Sequence, residues 1–158
     1  MKLLKDILYG IRIIEIKGNT NIAVENIAFD SREINNLSLF IAVKGVSQDG
    51  HNFISQAQNS GACAIICESL PEILNDEITY VKVLDSSKSL GIVASNFFDN
   101  PSEKLKLVGI TGTNGKTTCA TLLYDLYRLM GYKTGLISTV HIKICLLYTS
   151  PSPRDKHR

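Results

Sequence analysis

Residues 108–118 read Val-Gly-Ile-Thr-Gly-Thr-Asn-Gly-Lys-Thr-Thr, a glycine-rich string closing on Gly-Lys-Thr-Thr. These types at this spacing, set between a strand and a helix, suit a phosphate-binding loop. Gly112 and Gly115 permit backbone angles closed to other residues, so successive N–H groups can turn inward on an anion. A helix starting at Lys116 adds its partial positive charge. Lys116 would reach the outer phosphates, and the Thr117 hydroxyl would ligate Mg²⁺. The candidate phosphate-binding site is therefore Gly112, Thr113, Asn114, Gly115, Lys116, Thr117 and Thr118. The spacing departs from the strict Walker pattern: Ile110 stands where the first glycine belongs, and Gly109 lies one place early. A glycine-rich turn that merely opens a helix is the structural alternative.

The elements that must hold this loop are legible on either side. The apolar run Leu105, Leu107, Val108, Ile110 predicts a strand over 105–110. Leu122, Leu123, Leu126, Tyr127 and Met130 predict a helix over 116–130, closed by Gly131. A strand over 134–138 follows. This β–loop–α–β order is the opening of a P-loop doubly wound parallel sheet, which stops after about two strands and cannot complete its core. Tyr124 and Tyr127 read as helix-face packing.

Upstream, Asn100-Pro101-Ser102 marks a boundary, since Pro101 cannot comfortably continue the helix before it. That helix has Asp85 or Ser86 as its cap and Leu90, Val93, Ala94, Phe97 and Phe98 at helical spacing. Residues 2–9 suit a short amphipathic helix and Phe53–Ser60 another, ended by Gly61. Strands are expected at 24–29, 38–43, 62–67 and 78–84. The chain thus reads as a small mixed α/β domain over 1–103, the start of a second domain over 104–144, and a tail from 145.

The tail changes character abruptly. It holds two of the four prolines and has no periodicity. Over 145–155 it resembles a translated sequencing adaptor, so it reads as foreign to the gene product, with the natural sequence expected to run past Ile144. A disordered basic tail is the alternative. Arg154, Lys156 and Arg158 against Asp155 account for the whole net charge of +2. The rest is neutral, which argues against nucleic acid as the main partner. No run approaches the roughly 18 apolar residues of a membrane span, and charge breaks the N-terminus too early for a secretory signal. A soluble, cytoplasmic protein is expected. The four cysteines form no C-x-x-C pair. Cys63 and Cys67 read as buried thiols, and a metal cluster or disulfide framework is not expected.

Several stretches resemble the Mur ligase family. Phe29-Asp30-Ser31-Arg32 is similar to its D-S-R segment. Leu39-Phe40-Ile41-Ala42-Val43-Lys44-Gly45 followed by Asp49-Gly50-His51 is similar to L-F-x-A-x-x-G…D-G-H. Gly61-Ala62 before Ala64-Ile65-Ile66 resembles G-A-x-A-I-I. Asn100 to Thr118 resembles the hinge and phosphate loop, and Gly135 to Val140 the strand after it. The resemblance covers nearly all of 1–144 and none of the tail.

It implies an ATP-dependent amide-bond ligase of peptidoglycan synthesis whose first domain holds the UDP end of the substrate. By motif position, Phe29 and Ser31 would contact the uridine diphospho-sugar, with Val46, Ser47 and Gln48 alongside, and Gly112 to Thr118 would hold ATP. Thr139 would lie near substrate and magnesium contacts. The Thr-Asn of the loop and the Ile-Ser-Thr-Val end favour the member that adds the third amino acid, diaminopimelate or lysine, to UDP-N-acetylmuramoyl-dipeptide. The member that adds the terminal dipeptide is the alternative, and a non-catalytic nucleotide-binding module is another. The family's remaining catalytic groups would lie beyond Ile144, so the 158-residue chain is expected to be inactive alone. Asp30 and Arg32 could equally be an ordinary ion pair, and His51 reads as a turn or helix-start residue rather than a catalytic base.

Overall fold

The computed structural model describes residues 1–45, 48–144 and the backbone of 147–149. It divides into two compact units, Met1–Lys106 and a second beginning at Leu107.

The first unit is built on a five-stranded sheet. Its strands are β2 (Ile13–Lys17), β4 (Asn26–Ala28), β5 (Ser38–Ile41), β6 (Ala62–Cys67) and β7 (Thr79–Val83), in the order β2-β7-β6-β5-β4. Strands β4 to β7 are mutually parallel; β2 is an antiparallel edge. A two-stranded antiparallel ribbon, β1 (Lys2–Leu3) with β3 (Ala23–Val24), lies outside it.

Alternation along the strands divides the core in two. Leu39, Ile41, Ala64, Ile66, Val81 and Val83 pack with Leu4 and Ile7 of helix α1 (Leu4–Ile7) and Val93 of helix α3 (Ser86–Phe97). Phe40, Ile65, Cys67 and Tyr80 form the other cluster, with Ile54 and Ala57 of helix α2 (Ile54–Asn59). A sheet covered on both faces explains why 38–43, 62–67 and 78–84 read as near-continuous apolar runs. Helix α3 starts at the expected cap, the Asp85 carboxylate accepting from the Lys88 N–H. Helix α2 ends before Gly61, whose φ of +97° suits glycine. The expected helix over 2–9 is shorter: β1 takes its first residues and α1 only four. Strand β2, which carries three isoleucines, has no counterpart among the strands expected from the sequence.

In the second unit, helix α4 (Lys116–Leu129) and strand β8 (Gly135–Ile137) stand where expected, and Gly131 has φ +86°. The expected strand over 105–110 does not form: no strand is assigned there, and Leu105, Leu107 and Val108 are exposed. Among the described residues nothing pairs with that segment, and an unpaired extended run has no ladder to hold it. Strand β8 instead pairs antiparallel with β9 (Ile142–Ile144), which pairs antiparallel with β10 (Leu147–Thr149). Among the described residues of this unit only Tyr124 and Leu136 are buried apolar side chains, while Leu122, Leu126 and Leu129 stay exposed. Arg128 and Lys143 both lie over the Tyr124 ring, their charged ends 5.5 and 5.4 Å from its centroid.

Candidate functional site

The glycine-rich loop sits at the head of α4. Gly112 and Gly115 have φ of +147° and +78°. A Cβ on Gly115 would meet nothing within 4 Å. Backbone conformation, not lack of room, therefore calls for glycine there. The first bond of the helix runs from the Cys119 N–H to the Gly115 carbonyl at 2.9 Å. The N–H groups of Lys116, Thr117 and Thr118 thus have no acceptor within the helix, and no side chain caps them. Lys116 folds back over the loop, its ammonium donating to the carbonyls of Gly112 at 2.5 Å and Thr113 at 3.1 Å. Three free N–H groups, a helix N-terminus and an ammonium at one loop fit a polyphosphate. The Thr117 side chain is half-buried there, and its carbonyl accepts from the Thr121 hydroxyl at 2.9 Å. Thr139 is exposed in a turn held by the Ser138 hydroxyl, which accepts from the Val140 and His141 N–H groups.

The first unit's groups gather at one edge. Because β4 to β7 run parallel, their carboxyl ends lie on the same side of the sheet, where α/β proteins bind ligands. Phe29-Asp30-Ser31 follows β4. The Asp30 carboxylate caps a tight helical turn, Ser31–Glu33, by accepting from the Arg32 N–H at 3.0 Å. It also takes a forked contact from the Arg32 guanidinium, with Nη2 to Oδ2 at 2.6 Å and Nε to Oδ1 at 2.9 Å. That pairing holds the Asp30 carboxyl well below its usual range, at about 2. The ordinary ion pair is thus present. The Ser31 side chain is buried, its hydroxyl donating to Gln56 Oε1 at 3.0 Å. The Phe29 ring is exposed beside it.

The D-G-H stretch follows β5. The Gly45 N–H donates to the Gln48 carbonyl, and the Gly50 N–H to the Val43 carbonyl, both at 2.9 Å. Gln48 is exposed on this turn. Val46 and Ser47 lie outside the described residues. The Asp49 carboxylate caps a second tight turn, Gly50–Phe53, accepting from the His51 N–H. His51 is therefore the turn residue it was expected to be. Its ring contacts Asp49 on one side and the Glu68 backbone on the other. Glu68 and Gln56 carry no sequence signal of their own, because their partners lie 17–25 positions away.

One unit carries polar groups at the carboxyl edge of a mostly parallel sheet and the other a glycine-rich loop opening a helix, so the chain is an α/β protein. Two family descriptions match: "Mur ligase family, catalytic domain" over residues 23–98 and "Mur ligase middle domain" over residues 110–156. The chain belongs to the Mur ligase family. It is 55% identical over 138 residues to the UDP-N-acetylmuramoyl-L-alanyl-D-glutamate–2,6-diaminopimelate ligase of Cytophaga hutchinsonii, and 50% identical over 137 to that of Bacteroides fragilis. Each match covers 87% of this chain but 28% of the relative, so the chain spans under a third of those proteins. A solved structure of a ligase of the same name shares the fold at TM-score 0.71 and 22% identity, over 94% of this chain and 30% of that one. The MurF ligase of Thermotoga maritima, solved with ADP, matches at TM-score 0.51 and 31% identity, over 67% of this chain and 24% of that one.

Proposed function

We propose that this chain supplies the UDP-substrate domain and the phosphate loop of the ATP-dependent ligase that adds diaminopimelate or lysine to UDP-N-acetylmuramoyl-L-Ala-D-Glu. The observation that carries the reading is the 55% identity to a diaminopimelate ligase across both units. A carboxylate is a poor electrophile at neutral pH. Transfer of the γ-phosphoryl group of ATP to it gives an acyl phosphate and ADP. The amine then attacks the acyl carbon, the amide forms and phosphate leaves. Residues 112–118 would hold the triphosphate in line for the first step by position and charge. Lys116 would exchange its loop carbonyls for phosphate oxygens.

Mg²⁺ fits this site as a shared ion. Thr117 offers one hydroxyl, and the described residues contain no acidic cluster. The remaining ligands would be phosphate oxygens and water, the usual arrangement for this ion. It would neutralise charge on the transferring group.

On this reading residues 1–103 bind the UDP end and 104–144 begin the ATP domain. A cytoplasmic setting belongs to it, and no described helix is long and apolar enough to cross a membrane. Phe29 offers an exposed ring for the base and Gln48 an amide for the sugar or diphosphate. Ser31→Ala tests the first unit, read by calorimetric titration. We expect weaker binding of UDP-N-acetylmuramoyl-L-Ala-D-Glu with ATP binding intact; unchanged substrate affinity would contradict it. Addition of the terminal dipeptide is the second reading, favoured by the MurF match at 31% identity. Competition between the UDP-dipeptide and UDP-tripeptide substrates separates the two.

A further inference from the structure

Three loops at the carboxyl edge of the sheet are laced by one hydrogen-bonded relay. Asp49 Oδ1, after β5, lies 2.6 Å from His51 Nδ1. His51 Nε2 accepts from the Glu68 N–H at 2.9 Å, at the end of β6. Glu68 Oε1 then accepts from both the N–H and the hydroxyl of Ser86, each at 2.9 Å, at the start of α3 after β7. The direction of these bonds fixes the ring. Because Nε2 accepts, the proton sits on Nδ1 and is donated to Asp49. Both nitrogens are engaged and the ring is largely covered, its side chain 17% exposed. His51 is therefore spoken for and does not offer a base to a substrate.

Its geometry serves something else. Asp49 bridges to Lys44 across the turn that the Gly45–Gln48 bond closes. The imidazole is the strut tying the Asp49 end of that turn to the rigid central strand β6. We propose that His51 is a positioning residue for substrate binding: it holds Gln48 in place at the sheet edge and so sets affinity for the UDP-sugar without touching it. The proposal rests on the placement of the UDP end at this edge.

The test is titration of the 158-residue chain with UDP-N-acetylmuramoyl-L-Ala-D-Glu and, separately, with ATP, well below each variant's melting midpoint. His51→Ala is expected to weaken the UDP ligand about tenfold, the loss of a strut built on a charge-assisted hydrogen bond, with ATP affinity unchanged. His51→Asn places an amide N–H near the Nδ1 position, keeps the bond to Asp49 and should recover part of the loss. Equal affinity of His51→Ala and parent overturns the proposal. So does a parallel loss of both ligands, which marks general unfolding, and so does His51→Asn behaving as badly as alanine while folded. Failure of the parent to bind the UDP ligand overturns the substrate placement and this proposal together. Binding by the parent with no effect at His51 overturns the positioning role alone.

Discussion

Replacing Gly50 by alanine places a methyl group 2.7 Å from both the nitrogen and the oxygen of Val43 and 3.2 Å from the Ala42 carbonyl carbon. Heavy atoms rest at roughly 3.5–4.0 Å, so the overlap is close to 1 Å against backbone that cannot rotate away. The turn must open. Doing so breaks the Gly50 N–H bond to the Val43 carbonyl, worth about 1 kcal/mol, and adds an overpacking strain of about 1–3 kcal/mol. The expected loss is about 2–4 kcal/mol, which lowers the urea midpoint of the first unit by about 1–2 M at a usual slope. Gly91→Ala is the control. That glycine lies exposed in the middle of α3, and a Cβ there meets nothing within 4 Å. Alanine should stabilise by about 0.5–1 kcal/mol through helix propensity. Urea unfolding followed by circular dichroism reads both. A Gly50→Ala midpoint equal to the parent's would refute the close-approach argument, and so would two shifts of the same sign.

Asp30 should titrate near about 2 in carboxyl-detected NMR, and Arg32→Ala should return it toward the ordinary range. Because its folded value is depressed, the stabilisation is complete above the ordinary carboxylate range and is lost as pH falls toward about 2. Among the described cysteines, thiol reactivity should follow exposure. Exposed Cys119 is modified by a thiol reagent at neutral pH before Cys67, which is buried, has its thiol pushed up to about 11 by desolvation and stays protected until unfolding. Equal rates at the two would contradict the packing of β6.

How much could be read beforehand follows from which forces are local. Strands β5, β6 and β7 were legible because burial on both faces writes a continuous apolar run, and α3 because Asp85 caps it within three residues. Strand β2 was missed although Ile13, Ile14 and Ile16 are β-formers. It is an exposed edge whose pairing with β7 joins residues more than 60 positions apart. The opposite error arose at 105–110, where the pattern is right but pairing, which no local pattern supplies, is absent among the described residues. At the candidate site the glycines, Lys116 and the Asp-capped turns were visible as motifs. Gln56, Glu68 and Ser86 were not, since only the parallel order of β4 to β7 brings them to one edge.

We propose that residues 112–118 hold the phosphates of ATP. Titration of Mg·ATP into the parent chain and into Lys116→Ala tests it most directly. The expected result is binding by the parent and at least about tenfold weaker binding by the variant, the loss of a charge-assisted contact. Equal affinities, or no binding by a folded parent, would contradict it.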